Sequence, residues 1–162
     1  MATQLAPGSI PAQVFTALLT MTLAAVAAAS NAQAADTSVN AERSSVVERT
    51  NDQRAAHGCH NPLKVSKKLT VAAQRHADDM ANQGYFSHSS ADGTSWDRRI
   101  RVAGYKKPGG ENIAYGQGSA EEVIQDWMDS PGHRRNILDC DFETIGVGYS
   151  PDGDYWVQDF GY

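Results

Sequence analysis

The feature that most constrains this chain is where its charges are not. Met1 to Ala35 contain no Asp, Glu, Lys or Arg, so all 14 basic and all 19 acidic residues lie between Asp36 and Tyr162. Two kinds of polypeptide meet near residue 35. Within the uncharged part, Val14 to Ala29 is rich in Ala, Leu and Val, and Ala32-Gln33-Ala34 follows as the small-x-small pattern behind which signal peptidase cuts. Diluted by Thr16, Thr20 and Thr22, the apolar stretch is shorter than the roughly 20 apolar residues a spanning helix needs. The reading is a signal peptide over 1–34, cleavage after Ala34, and a secreted product with no transmembrane anchor. No Lys or Arg precedes Val14, so the terminal amine is the only positive charge of the leader, and no Cys stands near the cut to take a lipid.

The part beyond the leader is close to the commonest domain size and can bury a single core. We divide it into a lead-in segment, 35–45, and one folded domain, 46–162. A net charge of −5 without a basic run offers no electrostatic footprint for nucleic acid or for an anionic membrane surface. Two cysteines, Cys59 and Cys140, form an even count in an exported chain and read as one disulfide. Closing a loop of about 80 residues in this way is valued at roughly 4–5 kcal/mol by chain entropy. His57-Gly58-Cys59-His60 is dense in metal-ligand types, but an oxidising compartment and the lack of a second nearby Cys favour the disulfide.

Local signals divide the domain into helices first and strands last. Asn40 is expected to cap a helix running to about Ala56, with Val39, Val46, Val47, Thr50 and Arg54 on one face and Gly58 stopping it. Ser66 caps a second helix whose Leu69, Ala72, Ala73, His76, Ala77 and Met80 recur at the spacing of a buried stripe, ended by Gly84. On that stripe His76 reads as a core histidine. A third helix fits Ser95 to Ala103, with Trp96, Ile100 and Ala103 inward, and Glu111 to Tyr115 fits a short strand. Ser119 and Glu122 make a capping box for a helix through Met128, and Ser130-Pro131 opens another. Alternation at Ile145, Val147 and Tyr149, a Pro151-Asp152-Gly153 turn, and alternation again to Phe160 predict a hairpin. The order implies a layered α+β domain.

Three segments carry more chemistry than folding requires: Gly84-Tyr85-Phe86-Ser87-His88, Gly110-Glu111-Asn112-Ile113-Ala114, and Ser130-Pro131-Gly132-His133-Arg134-Arg135-Asn136-Ile137-Leu138. Other matching pieces are Asn51 with Arg54, His76 to Met80, Asp92 to Ser95, Ala103-Gly104-Tyr105, Ile145 to Gly148, and Trp156 to Gly161. In this order and spacing, from Val46 to Tyr162, the set resembles the CAP superfamily: cysteine-rich secretory proteins, antigen 5 and pathogenesis-related proteins, in the compact variant typical of bacteria.

The resemblance implies an α–β–α sandwich with a central antiparallel sheet between helical layers. It also implies a surface cleft where two histidines and two glutamates can take a divalent metal. His88 matches the first histidine, Glu111 the first glutamate and His133 the second histidine. Where many animal members have a second glutamate, three residues after the helix tryptophan, this chain has Ser130; Asp129 beside it points about 100° away on a helix. Two neutral imidazoles and one carboxylate, with a position left for water, suit Zn2+. Tyr85, Phe86, Trp96, Trp127, Tyr155 and Trp156 are read as core and cleft walls, some lining a lipid-sized groove.

Family members have been linked to lipid binding, defence and extracellular signalling, so the fold leaves function open. The reading is a secreted, non-catalytic module whose His88, Glu111, His133 and Ser130 cleft binds a divalent metal, a lipid or a cell-surface partner. The alternative is a hydrolase in the same cleft, with Ser130 as nucleophile or with a metal-bound water. On the metal route Glu111 is either ligand or general base. Against the serine route, Ser130 is expected to cap its helix by accepting the His133 amide, and no Gly-x-Ser-x-Gly elbow is present.

Overall fold

The computed structural model describes residues 13–162, and side-chain surroundings from residue 32 onward. The start of the leader, residues 1–12 with their missing positive charge, lies outside the described residues. The chain divides at Thr37 and Ser38 into two units. What the first contributes to the description is the beginning of α1 (Gln13–Ala56). This helix does not start at Asn40. It runs unbroken through the expected cleavage point, and Asn40 Oδ1 accepts from Arg43 Nη2 at 2.6 Å instead of capping. The reason is local: no Gly or Pro interrupts residues 30–45, and alanines, the strongest helix formers, flank the short polar stretch. Among the described residues no helix is long and apolar enough to cross a membrane.

From Ser38 onward the second unit is an α+β layered domain. After α1 come β1 (Lys64–Val65), α2 (Lys67–Gln83), α3 (Trp96–Val102), β2 (Pro108–Tyr115), α4 (Ala120–Asp129), α5 (Pro131–Ile137), β3 (Thr144–Ser150) and β4 (Tyr155–Gly161). Ser119 Oγ accepts the Glu122 amide at 3.3 Å, while the Glu122 carboxylate reaches back to the Gly118 amide at 2.9 Å, so the capping-box expectation holds one residue out of register.

The sheet order is β1-β3-β4-β2. The three long strands are antiparallel, as expected, but β1 lies parallel to β3, which makes the sheet mixed. Asn51 sets up that extra strand by clasping Leu63 through both amide and carbonyl, at 2.8 and 3.2 Å, and two residues of pairing left no readable alternation.

Strand alternation divides the core between the two faces. Ile145, Val147, Tyr149, Trp156 and Phe160 point toward α1, α4 and α5, where Val46, Val123, Ile124, Trp127 and Ile137 meet them. On the other face Ile113, Tyr155 and Val157 pack under Ala73, Ala77 and Met80 of α2. Gly146 and Gly148 bring α2 onto that face at main-chain contact: a Cβ on Gly148 would sit 2.3 Å from the Ala73 carbonyl carbon.

Arg54 ties α1 to the loop before β3. Its guanidinium, fully buried, donates to the carbonyls of Ile137 (2.9 Å), Asp139 (2.7 Å) and Phe142 (3.1 Å). The Cys59–Cys140 disulfide closes the same junction, with Cα atoms 5.2 Å apart.

Candidate functional site

Glu111 and Asp159 are opposite one another in the β2–β4 register. By alternation they share the face of Ile113 and Val157, the apolar face under α2, so two carboxyls point where the strands elsewhere place hydrocarbon. Both are buried. The charge is compensated from α3: Arg99 Nη2 donates to Glu111 Oε2 at 2.5 Å. The other Glu111 oxygen, Oε1, lies 2.7 Å from His88 Nδ1. A carboxylate only accepts, so His88 donates from Nδ1, and in the neutral tautomer that this bond selects Nε2 carries the lone pair.

Asp159 is pushed toward its neutral form. Burial pushes its carboxyl well above the usual range, and the Glu111 charge adds to this, with a hydrogen bond between the two groups. Its Oδ1 has no partner. Arg99 is the cation for the whole arrangement, and it also clamps the loop that carries His88, donating from Nη1 to the carbonyls of His88 (2.7 Å) and Thr94 (3.2 Å). Behind it, His76 Nε2 donates to the Ser87 carbonyl at 2.8 Å, and burial first, then Arg99, holds this imidazole below its usual pKa. His76 is therefore the core histidine expected from its stripe, and it braces the His88 loop from within.

His133 arrives from the other side, on the first turn of α5. Asn112 of β2 donates to its carbonyl at 3.2 Å, and Asn136 of α5 donates to the Glu111 carbonyl at 3.2 Å and to Asn112 Oδ1 at 2.8 Å. These amides fix α5 against the strand bearing Glu111. Burial lowers the His133 pKa, and the nearby His88 lowers it further. The two histidines thus lie within electrostatic range of each other. Ser130 occupies the cap position of α5 but makes no side-chain cap bond, contrary to the expected bond with the His133 amide; Pro131 at the helix start already removes one of the orphan donors. Among the described residues, no group of three His, Cys, Asp or Glu side chains is arranged to hold a metal ion.

Phe86, expected in a core or cleft wall, is half-exposed. Its ring centroid lies 6.2 Å from that of the equally exposed Tyr115, which is 4.6 Å from Tyr155. This row of rings runs from the His88 loop along the end of β2. Two residues of the site, Arg99 and Asp159, were not singled out from the sequence. Asp159 was visible as a carboxylate two positions after Val157 on a buried strand face, and Arg99 as a charge next to the inward Ile100.

The sequence pattern of the Cysteine-rich secretory protein family, CAP, matches residues 47–160. The chain belongs to the CAP family. CAP relatives include "Uncharacterized protein YkwD" of Bacillus subtilis (strain 168), 42% identical over 127 residues that cover 78% of this chain and 49% of YkwD. A crystal structure of an extracellular protein containing an SCP domain from Bacillus anthracis superimposes with a TM-score of 0.71 at 28% identity, over 75% of this chain and 40% of that one. An outer surface protein from Borrelia burgdorferi shares the fold, with a TM-score of 0.63 at 22% identity, over 71% of this chain and 87% of that one. The chain spans about half the length of YkwD, so this CAP domain is the part that the two have in common.

Proposed function

We propose that this protein is an extracellular, non-catalytic binding module whose cleft presents two imidazoles to a ligand: a divalent metal ion, a lipid or a cell-surface partner. The observation that carries the reading is that Glu111 has no free oxygen, since His88 takes one and Arg99 the other. A buried carboxylate held in this way orients His88 and aims Nε2 outward; using it as a general base would break one of two buried charge-assisted bonds. The nitrogens left open are His88 Nε2, on a half-exposed side chain, and the neutral imidazole of His133.

Zinc fits this pair in part. His88 and His133 would hold it, with Glu111 as the carboxylate behind the ligating ring and the remaining positions left to water or ligand. When bound, zinc would polarise a ligand oxygen or acidify a bound water. The Phe86, Tyr115 and Tyr155 rings support an apolar or lipid ligand beside the imidazoles. The leader pattern, the disulfide and the extracellular and outer-surface descriptions of similar proteins support a place outside the cell.

A calorimetric titration with zinc near neutral pH tests the metal arm. Heat of binding and a raised melting temperature are expected for the wild type, and neither for His88→Ala with His133→Ala. No zinc response in the wild type removes the metal and leaves the lipid or partner as ligand. Ester or peptide turnover by the wild type that is lost in Glu111→Gln would overturn the non-catalytic reading in favour of the hydrolase.

A further inference from the structure

All five lysines of the chain, Lys64, Lys67, Lys68, Lys106 and Lys107, are exposed, and the fold gathers them at one end of the sheet. Lys64 opens β1 opposite Thr144. Thr144 lies opposite Gly161, and Gly161 opposite Pro108, directly after Lys106 and Lys107. The corner is closed by Tyr105, whose hydroxyl bonds Thr144 Oγ1 at 2.6 Å, and by Tyr162, whose amide donates to the Lys107 carbonyl at 3.1 Å. Lys67 and Lys68 form the first turn of α2, and the Lys68 stem lies against Gly104 at the end of α3. Arg101 of α3 donates to the Lys106 carbonyl at 3.0 Å.

The pole brings five lysines and Arg101 together, with Asp97, Asp141 and Glu143 as the neighbouring carboxylates, on a chain whose net charge is −5. No lysine forms an ion pair among the described residues, whereas Arg101 is shared with Asp97 at 3.7 Å. Lys67 and Lys68 stand at a helix start with no acidic residue in its first turn, where the helix dipole opposes them. Glu143 borders the pole, its carbonyl bonded to the Lys64 amide. Among the described residues, three of the five exposed large apolar side chains lie among these cations: Val65 (64% exposed), Val102 (70%) and Tyr162 (46%). Along the chain the lysines come in two groups, 64–68 and 106–107, without a continuous basic run, and it is the fold that brings them to one end of the sheet.

We propose that this pole docks the protein on an anionic lipid bilayer, lysines at the phosphates and Val65 and Val102 at the headgroup boundary. The composition favours a bilayer over a polyanion chain. Lysine is a flexible point charge suited to a diffuse field, and exposed valines gain from an apolar layer that a polyanion does not provide. Each lysine near such a surface strengthens binding by about fivefold, an effect screened by salt over roughly 10 Å at 0.1 M. The surface is independent of the imidazole cleft.

The test is sedimentation of the full chain with vesicles of phosphatidylcholine alone or mixed in equal parts with phosphatidylglycerol, so that any leader contribution appears in both. Stronger binding to the anionic vesicles, weakened by salt, is expected. Lys67→Gln with Lys68→Gln, and separately Lys106→Gln with Lys107→Gln, should each lower the anionic binding by about tenfold or more. Arg134→Gln with Arg135→Gln, the same charge change on exposed α5 positions, should leave it unchanged. Val65→Ser with Val102→Ser should weaken vesicle binding and spare binding to soluble polyphosphate. Equal binding to both vesicle types, or lysine variants no weaker than the Arg134 and Arg135 variant, would overturn the proposal. A valine variant that loses nothing on vesicles would assign the pole to a polyanion instead. Circular dichroism of each exposed-site variant confirms that it is folded, and the two lysine pairs are independent, so one misfolded protein leaves the other as the test.

Discussion

Arg99 Nη2 and Glu111 Oε2 are bonded at 2.5 Å, with side chains 11% and 1% exposed. A pair this deep has given up its hydration, and what holds it is mutual charge together with the bonds to His88 and the 88–94 loop. Arg99→Met leaves a buried carboxylate with no cation and is expected to cost about 3–5 kcal/mol in urea unfolding. The double change Arg99→Met with Glu111→Gln should recover part of that loss, because the stranded charge is gone. A single-variant cost no larger than that of the double variant would show that Glu111 is not charged in the fold.

His76 makes stability sensitive to acid. Its folded pKa lies below the ordinary 6.5, chiefly from burial, so below 6.5 the unfolded chain takes up a proton that the folded chain refuses. Stability is then fully present above 6.5 and falls as pH drops toward the folded pKa. His76→Gln, which can keep a donor to the Ser87 carbonyl, should narrow the gap to wild type as pH falls from about 7.5 to 5.5 in urea-midpoint measurements.

Gly148 has no room for a side chain. Its Cβ would meet the Ala73 carbonyl carbon and oxygen at 2.3 and 2.4 Å, so Gly148→Ala must push β3 and α2 apart. A loss of about 3 kcal/mol, the upper part of the usual overpacking range, is expected in chemical denaturation. Gly132→Ala, where no heavy atom lies within 4 Å of the added carbon, is the matched control and should leave stability within about 0.5 kcal/mol.

Cys59 and Cys140 cross-link residues 81 apart in sequence, at the junction where Arg54 also binds three carbonyls. Replacing both with Ala should cost about 2–5 kcal/mol. Since neither cysteine is among the hydrogen-bond partners of His88 and His133, any zinc response of the folded wild type should persist in the double variant, read as a metal-induced shift in melting temperature.

Most of the domain's elements were legible because their signals are local. The stripe of α2, the Ser119 capping box and the alternation of the last two strands each contain their own instruction, and each element formed where read. Errors came where a weak local signal met a stronger neighbour. Asn40 offered a cap, but a helix already running through alanines had no reason to stop. Ser130 offered another, and Pro131, its φ already set for the first helical position, starts the helix without a side-chain cap bond. Asp159 and the lysine pole depend on strand register and on segments far apart in sequence, so neither has a linear signature. His88 and Glu111 were paired by resemblance, since their 23-residue separation encodes nothing by itself.

The outer strands of the sheet are both closed to company. Along β2 the outward carbonyls of Glu111 and Ile113 are taken by the side chains of Asn136 and Trp127, and at the opposite edge β1 is two residues long and begins with a lysine. Short, charged or side-chain-capped edges cannot template another strand. The same α5 asparagine that docks the helix to the site thus also occupies an edge carbonyl that a further strand would need for pairing.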